Sequence, residues 1–321
     1  MANLHDIERR INSVESTKQI TRTMQMVAAA KIRHSMERVE HATPYRNAMY
    51  ELLSNLSLLG ETNAKLTKPH DEIKNTLLIV VTSDRGLAGG FNSSVLRRAD
   101  KIMKECKAEG KNVTVAACGK KAIAYFKYRN ADTVLAFRDL SADPRVEESD
   151  TLTDYCIEKY TAGELDEVFV LYNHSKNAAE QVLRTELVLP VDTAAEQQLI
   201  EEVLLPINLA SFRPEGAVFN YGAITETDQD DADIQGSFEY EPGEVEVLDQ
   251  LLPEYMAGYL FYVLIDSAAA EQAARRNAMK NATDNANDMI ETLNRVYNRV
   301  RQGAITTELN EIVGGAEALE D

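Results

Sequence analysis

The hydrophobic and polar positions follow one rule at the two ends of the chain and another in the middle. From Leu4 to about Leu59 the residues are mostly strong helix formers, with Pro44 the only proline before Gly60, the first glycine. At a rise of ~1.5 Å per residue this predicts a rod of roughly 80 Å. Pro44 predicts a kink, with Thr43 biased away from helical geometry. Ile7, Ile11, Val14 and then Ala28, Ile32 and Val39 follow a seven-residue repeat whose middle falls on Lys18, Thr21 and Gln25. From Glu244 to Val313 the pattern returns: Met279, Ala282, Ala286, Met289, Leu293, Val296 and Val300 step by threes and fours, as a coiled-coil seam does. Gly314-Gly315 predicts its end. Pro253 predicts that the rod proper begins nearby, with Glu244–Leu252 a separate turn or a kinked first segment. Neither narrow stripe can be buried alone, so the rods are expected to pack on each other as an antiparallel coiled coil.

Between the rods the period changes. TLLIVVT (76–82), NVTVAAC (112–118), DTVLAFR (132–138) and DEVFVLYN (166–173) are short, β-branched apolar runs that suit strands buried on both faces. They alternate with helical patterns, one carrying Val95, Leu96, Ala99, Ile102, Met103 and Cys106 on a single face. The alternation predicts a mostly parallel sheet covered by helices, with VLRTELVLP (182–190) as an antiparallel edge strand. The fold class is therefore α/β plus a long antiparallel coiled coil. The expected organisation is an N-terminal coiled-coil helix at 1–60, an α/β domain at 75–191, an acidic segment at 192–243 and a C-terminal coiled-coil helix at 244–321. The acidic segment opens with a capping box, Thr193 to Glu196, before a short helix stopped by Pro206.

Charge narrows the function classes. The 321 residues carry 34 Lys and Arg against 52 Asp and Glu, a formal net charge of -18, which disfavours a phosphate-backbone binder. No Lys or Arg falls between Arg213 and Arg275, and the acidity from Glu226 to Glu254 suits a contact with basic groups on a partner. Cys106, Cys118 and Cys156 have no paired spacing and suit free thiols in a reducing compartment. The longest apolar run, MAGYLFYVLI at 256–265, is about half of the ~20 residues a spanning helix needs.

Catalytic and binding motifs fail at specific positions. TSDRGLAGGFNSS (82–94) sits between a strand and a helix, where phosphate loops lie, but its glycines fit neither dinucleotide nor P-loop spacing. A tight strand-to-helix turn is the competing reading. Asp231, Asp233, Gln235, Gly236 and Glu239 match the early positions of a calcium loop, yet Pro242 stands where the bidentate glutamate belongs. His5, His34, His41, His70 and His174 form no metal-ligand spacing, and no nucleophile signature is present. No catalytic residue, cofactor or metal is expected.

Three stretches are more specific: STKQITRTMQMVAAAKIR (16–33), TSDRGLAGGFN, and SAAAEQAARRNAMKNATDNANDMIETLNRVYNRVRQGAITTELNEIVGGA (267–316). Together they resemble the gamma subunit of F-type ATP synthase, bacterial type, with an acidic insertion before the C-terminal helix. The resemblance implies a noncatalytic central-stalk rotor that couples transmembrane ion flow to ATP synthesis and hydrolysis on the beta subunits. It implies as partners the ring of alpha and beta subunits, the epsilon subunit and the c-ring, with the membrane reached only through them, on the cytoplasmic side of the cell membrane. Position by position it implies that Met24, Arg275, Arg301, Gln302, Thr306 and Glu308 lie against partner subunits. A coiled-coil scaffold or chaperone arm carrying an α/β domain, or a nucleotide-binding α/β enzyme, are the alternatives that the unaided residues leave open.

Overall fold

A computed structural model describes residues 4–57, 65–140, 143–177, 180–191 and 243–320. In chain order the elements are α1 (Leu4–Ser57), β1 (Asn75–Val81), α2 (Phe91–Ala108), β2 (Asn112–Cys118), α3 (Lys120–Tyr128), β3 (Thr133–Phe137), α4 (Val146–Thr161), β4 (Glu167–Ser175), β5 (Gln181–Leu189) and α5 (Glu244–Glu320). The expected acidic segment, its capping box and its calcium-like run fall almost wholly in 192–242, outside the described residues. Two compact units emerge: one holds residues 1–29 with 275–321, the other Ala30–Ala274.

The larger unit is built on a five-stranded sheet in the order β3-β2-β1-β4-β5. β1 pairs in parallel with both β2 and β4, and β2 with β3; the edge strand β5 runs antiparallel to β4, as its position after a short loop dictates. Because side chains alternate along a strand, successive residues of β1 feed opposite cores. Leu77, Ile79 and Val81 join Val168, Val170 and Tyr172 of β4 beneath α4, the C-terminal part of α1 and the N-terminal part of α5. Leu78 and Val80 join Val115, Ala117 and Leu171 beneath α2 and α3, where Val95, Ala99, Ile102 and Phe126 close the layer. Burial on both faces explains why these strands read as continuous apolar runs.

In the same unit α1 and α5 pack directly on each other through Ile32, Met36, Val39, Tyr262, Ile265, Ala269 and Ala273. Gly258 is a point of close approach: a Cβ there would lie 3.0 Å from Tyr45 Cε1. Arg46 is buried with its guanidinium 4.2 Å above the Tyr262 ring, a cation–π contact that replaces lost water.

Three helix boundaries differ from the sequence-based expectation. Pro44 lies inside an unbroken α1 and Pro253 inside an unbroken α5. Both prolines sit in turns that packing holds: Val39, Arg46 and Met49 are buried around the first, Leu248, Leu252, Tyr255 and Met256 around the second. Tertiary burial thus outweighs the ~3 kcal/mol cost of an interior proline. Thr43, next to Pro44, keeps helical geometry and donates its hydroxyl to the Val39 carbonyl at 2.7 Å. The third difference is at the C-terminus, where α5 passes through Gly314-Gly315 to Glu320. Glycine permits a helix end without imposing one, and the AEALE that follows consists of strong helix formers.

In the smaller unit, Thr21 of α1 meets Thr283 of α5, while Leu4 lies among Arg299 to Glu311. Falling numbers on α1 therefore meet rising numbers on α5, so the pair is antiparallel. The α1 seam holds Ile7, Thr21 and Ala28 buried, with Ile11 and Val14 half-buried. On α5 the buried line runs Met279, Thr283, Ala286, then half-buried Ile290, Leu293, Tyr297 and Val300. Met289 and Val296, expected in the seam, are exposed by 53% and 38%. The three-and-four stepping is retained, but its phase differs by one residue at several steps, because Thr283 takes the seam in place of Ala282.

The three thiols are buried and unpaired. Burial pushes Cys118 and Cys156 up to about 12 and raises Cys106 as well. Since the thiolate is the reactive form, Cys118 and Cys156 are expected to resist an aromatic disulfide reagent at pH 8 in the native protein and to react at once in denaturant. Rapid native labelling of either, followed by mass spectrometry, would contradict this burial.

Candidate functional site

The turn after β1 is the place where an α/β fold presents a ligand crevice, so its hydrogen bonds decide what it can hold. Ser83 N donates to Asn92 Oδ1 at 2.9 Å, tying the strand end to the first turn of α2. Asp84 Oδ1 accepts from the backbone N–H of Lys120 and of Asp139, both at 3.0 Å. Lys120 is the first residue of α3, so the turn's carboxylate caps an amide at the N-terminus of that neighbouring helix. Gly119 has φ 96°, and a Cβ on it would lie 2.2 Å from the Thr82 carbonyl oxygen. The turn is thus tied down at Ser83 and Asp84 by its own hydrogen bonds, an arrangement that suits a tight strand-to-helix turn. Gly119→Ala combines a positive φ with a collision on backbone, and is expected to destabilise by several kcal/mol, read as a loss of cooperative thermal unfolding. A melting temperature within a degree or two of the parent would refute that account.

The surface of the smaller unit has a different character. Near the end of α5 an open groove of about 870 Å³ is lined by Leu4, Arg299, Val300, Arg301, Gly303, Ala304, Ile305, Thr307, Glu308 and Glu311. Arg301 and Glu308 of the expected set therefore share one groove, with Ile305 between them. Gln302 and Thr306 are exposed beside it, the Thr306 hydroxyl donating to the Gln302 carbonyl at 2.9 Å. Met24 lies elsewhere, half-buried in a shallow depression with Ser16, Gln19, Ile20 and Thr23. Arg275 differs from the other five: it is buried, with only 7% exposure. The structure thus groups four of the six residues and separates Met24 and Arg275 from them.

Sequence reasoning missed an apolar line on the same helix end. Ile305, Leu309, Ile312 and Val313 are all exposed, by 47% to 67%. Their spacing of four, three and one puts them on one side of a helix, a signal readable in the sequence beyond Val300, where the expected seam residues end. Ile20, Met26 and Val27 are similarly exposed on α1. Also missed were the buried polar contacts of the larger unit. His174 Nδ1 lies 2.7 Å from Asp266 Oδ2, and Ser175 N donates to Asp266 Oδ1 at 3.1 Å. Glu186 accepts from the hydroxyls of Tyr259 and Tyr172. Burial holds the Glu186 carboxyl above the ordinary carboxylate range, against those two hydrogen bonds.

Two long terminal helices, antiparallel where Thr21 meets Thr283, with a mostly parallel five-stranded sheet between them in the sequence, define the class: an α/β protein with a long helical pair. The comparisons agree with that class. A family model described as ATP synthase matches residues 3–319. The ATP synthase gamma chain of Chlorobaculum tepidum is 36% identical over 325 residues, covering 100% of both chains. That of Paracoccus denitrificans is 36% identical over 324 residues, covering 99% of this chain and 100% of the relative. Among solved structures, the OSCP/F1/c-ring of Euglena gracilis mitochondrial ATP synthase in rotational state 3 contains a chain with a TM-score of 0.59 at 18% identity, over 98% of this chain and 94% of that one. The central stalk/c-ring of the Tetrahymena thermophila enzyme contains one with a TM-score of 0.52 at 23% identity, over 82% and 99%. These structural likenesses speak to the fold.

The chain belongs to the ATP synthase gamma chain family. It is the noncatalytic rotor subunit of the F-type enzyme's central stalk, and it couples transmembrane ion flow by rotation to ATP synthesis and hydrolysis on the beta subunits. The scaffold and nucleotide-enzyme alternatives fall with that assignment. The enzyme is membrane-associated, and among the described residues no helix is long and apolar enough to cross a membrane. The Chlorobaculum chain aligns end to end with this one, so overall length does not set the acidic segment apart from that relative.

Proposed function

We propose that this rotor works through the exposed end of α5, with Arg301, Gln302, Thr306 and Glu308 turned to the alpha and beta subunits and Met24 providing a second contact from α1. The observation that carries this is the open groove in which Arg301 and Glu308 stand on either side of exposed Ile305. Opposite charges about two helical turns apart can meet either sign on a stator surface, while a modest apolar patch gives contact without tight adhesion. Arg275 belongs to the same working set; being buried, it acts by holding the helix rather than by touching a partner. The sheet unit meets the epsilon subunit and the c-ring. Epsilon and the c-ring place the subunit on the cytoplasmic side of the cell membrane, peripheral and bound through its partners.

Replacing Arg301, Gln302 and Glu308 together with alanine, a better helix former, should leave helicity by circular dichroism intact. ATP synthesis by inverted vesicles carrying the assembled enzyme should fall severalfold. Unchanged synthesis would remove these residues from the contact. For Met24, a lysine places a cation where it can pair with beta carboxylates and hold the shaft in one orientation. Coupling should then drop more than hydrolysis does. Equal losses with poor assembly would instead place Met24 in the seam, where an unpaired ammonium is costly to desolvate.

A further inference from the structure

Helix α5 poses a mechanical problem inside the larger unit. Every residue from Tyr262 to Ala274 is buried, and most of these side chains are apolar. Apolar contact is non-directional, so a helix that is apolar on all sides can shift by a residue and present one aliphatic side chain where another stood. A subunit that transmits torque cannot rely on such contacts alone to keep its helix in register with its sheet.

The polar residues supply direction, and of these, which include Ser267, Glu271 and Gln272, Asp266 reaches the sheet. Asp266 is 1% exposed and His174 2%. The carboxylate takes one donor from each of two consecutive residues of β4, His174 with Oδ2 and the Ser175 amide with Oδ1. Seven residues earlier, on the same face of α5, Tyr259 donates its hydroxyl to Glu186 of β5, which also accepts from Tyr172 at 3.3 Å. Glu186 pairs across the sheet with Val170, four residues before His174 on β4. The two contacts are thus about 10 Å apart along the helix axis and about 13 Å apart along the strands, a comparable span. Both run in the direction of β4. Slipping the helix by one residue would break both and leave a buried carboxylate without donors, which is far more costly than exchanging apolar contacts.

We propose that Asp266 and Tyr259 are positioning residues for rotary coupling: with His174, Ser175 and Glu186 they form a two-point key that locks α5 to strands β4 and β5, so that torque passes between sheet and helix without slip. The inference rests on the chain's work as a rotor. ATP-driven proton or sodium pumping by the unmutated complex in vesicles tests that reading, and pumping per ATP hydrolysed, compared among variants, tests the key.

Three variants of the assembled enzyme separate the outcomes. Asp266→Asn keeps the shape, an acceptor for the Ser175 amide and a donor for the neutral imidazole, and should retain the parental pumping-to-hydrolysis ratio. His174→Phe with Asp266→Leu replaces the buried pair with apolar groups, a change that often leaves stability intact. That double variant should hydrolyse ATP while its ratio falls severalfold. Tyr259→Phe removes one hydroxyl and keeps the ring, and should lower the ratio more modestly. If the double variant fails to assemble, the Tyr259→Phe ratio decides. A parental ratio in the double variant, or in Tyr259→Phe where only that one assembles, overturns the key; so does a loss in Asp266→Asn as large as in the double variant.

Discussion

The enclosure of α5 between Tyr262 and Ala274 is the constraint on which the larger unit depends. One side packs on the sheet core, another on α1 through Ile32, Met36 and Val39, and a third on Ala88 and Phe91 at the start of α2. A helix can be covered on three sides only if its own side chains are small enough to admit its neighbours, and Ala268, Ala269, Ala270, Ala273 and Ala274 meet that condition. The same enclosure brings Asp266 to the end of β4. Strand burial and the buried polar contacts are therefore consequences of one packing arrangement.

In the smaller unit the same two helices face a different balance. Only a narrow line is buried on each, and it includes a hydrogen bond between Thr21 and Thr283 of 2.7 Å. Each hydroxyl also has an intrahelical carbonyl within reach, Lys18 O for Thr21 and Met279 O for Thr283, so the pair satisfies itself without bulk. Small hydroxyl residues let the two backbones approach while specifying a register that alanines alone would leave open. The polar interruption of the heptads is part of how the helices are aligned.

The sheet, its edge strand and both terminal helices were legible because period and residue class coincide there: β-branched runs of seven or so, then long stretches free of glycine. What was not legible depended on partners distant in sequence. Nothing near Pro44 or Pro253 announces that buried neighbours will hold those turns, and nothing near Gly314 forbids continuation. Met289 and Val296 fit a heptad on paper, yet the choice of Thr283 over Ala282 is made by Thr21, two hundred and sixty-two positions away. The residues of the candidate site and of the proposed key divide in the same manner. Arg301 and Glu308 were found through a specific motif and do share a groove, whereas His174 and Asp266 carry no local signature, being ninety-two residues apart.

That division has a physical basis. Surface residues that meet a partner are read from their own segment, since exposure leaves each helix end to display its spacing directly; Ile305, Leu309 and Ile312 show it even without a partner present. Residues that hold elements in register act through a pairing created by the fold, and one half of the pair is mute. For a rotor the two kinds of residue must also differ in strength. On the proposed reading, contacts at the exposed end have to be released and remade as the shaft turns, which suits side chains that are polar, small or only moderately apolar. Contacts between α5 and the sheet have to survive every turn, so they are buried, directional and costly to break.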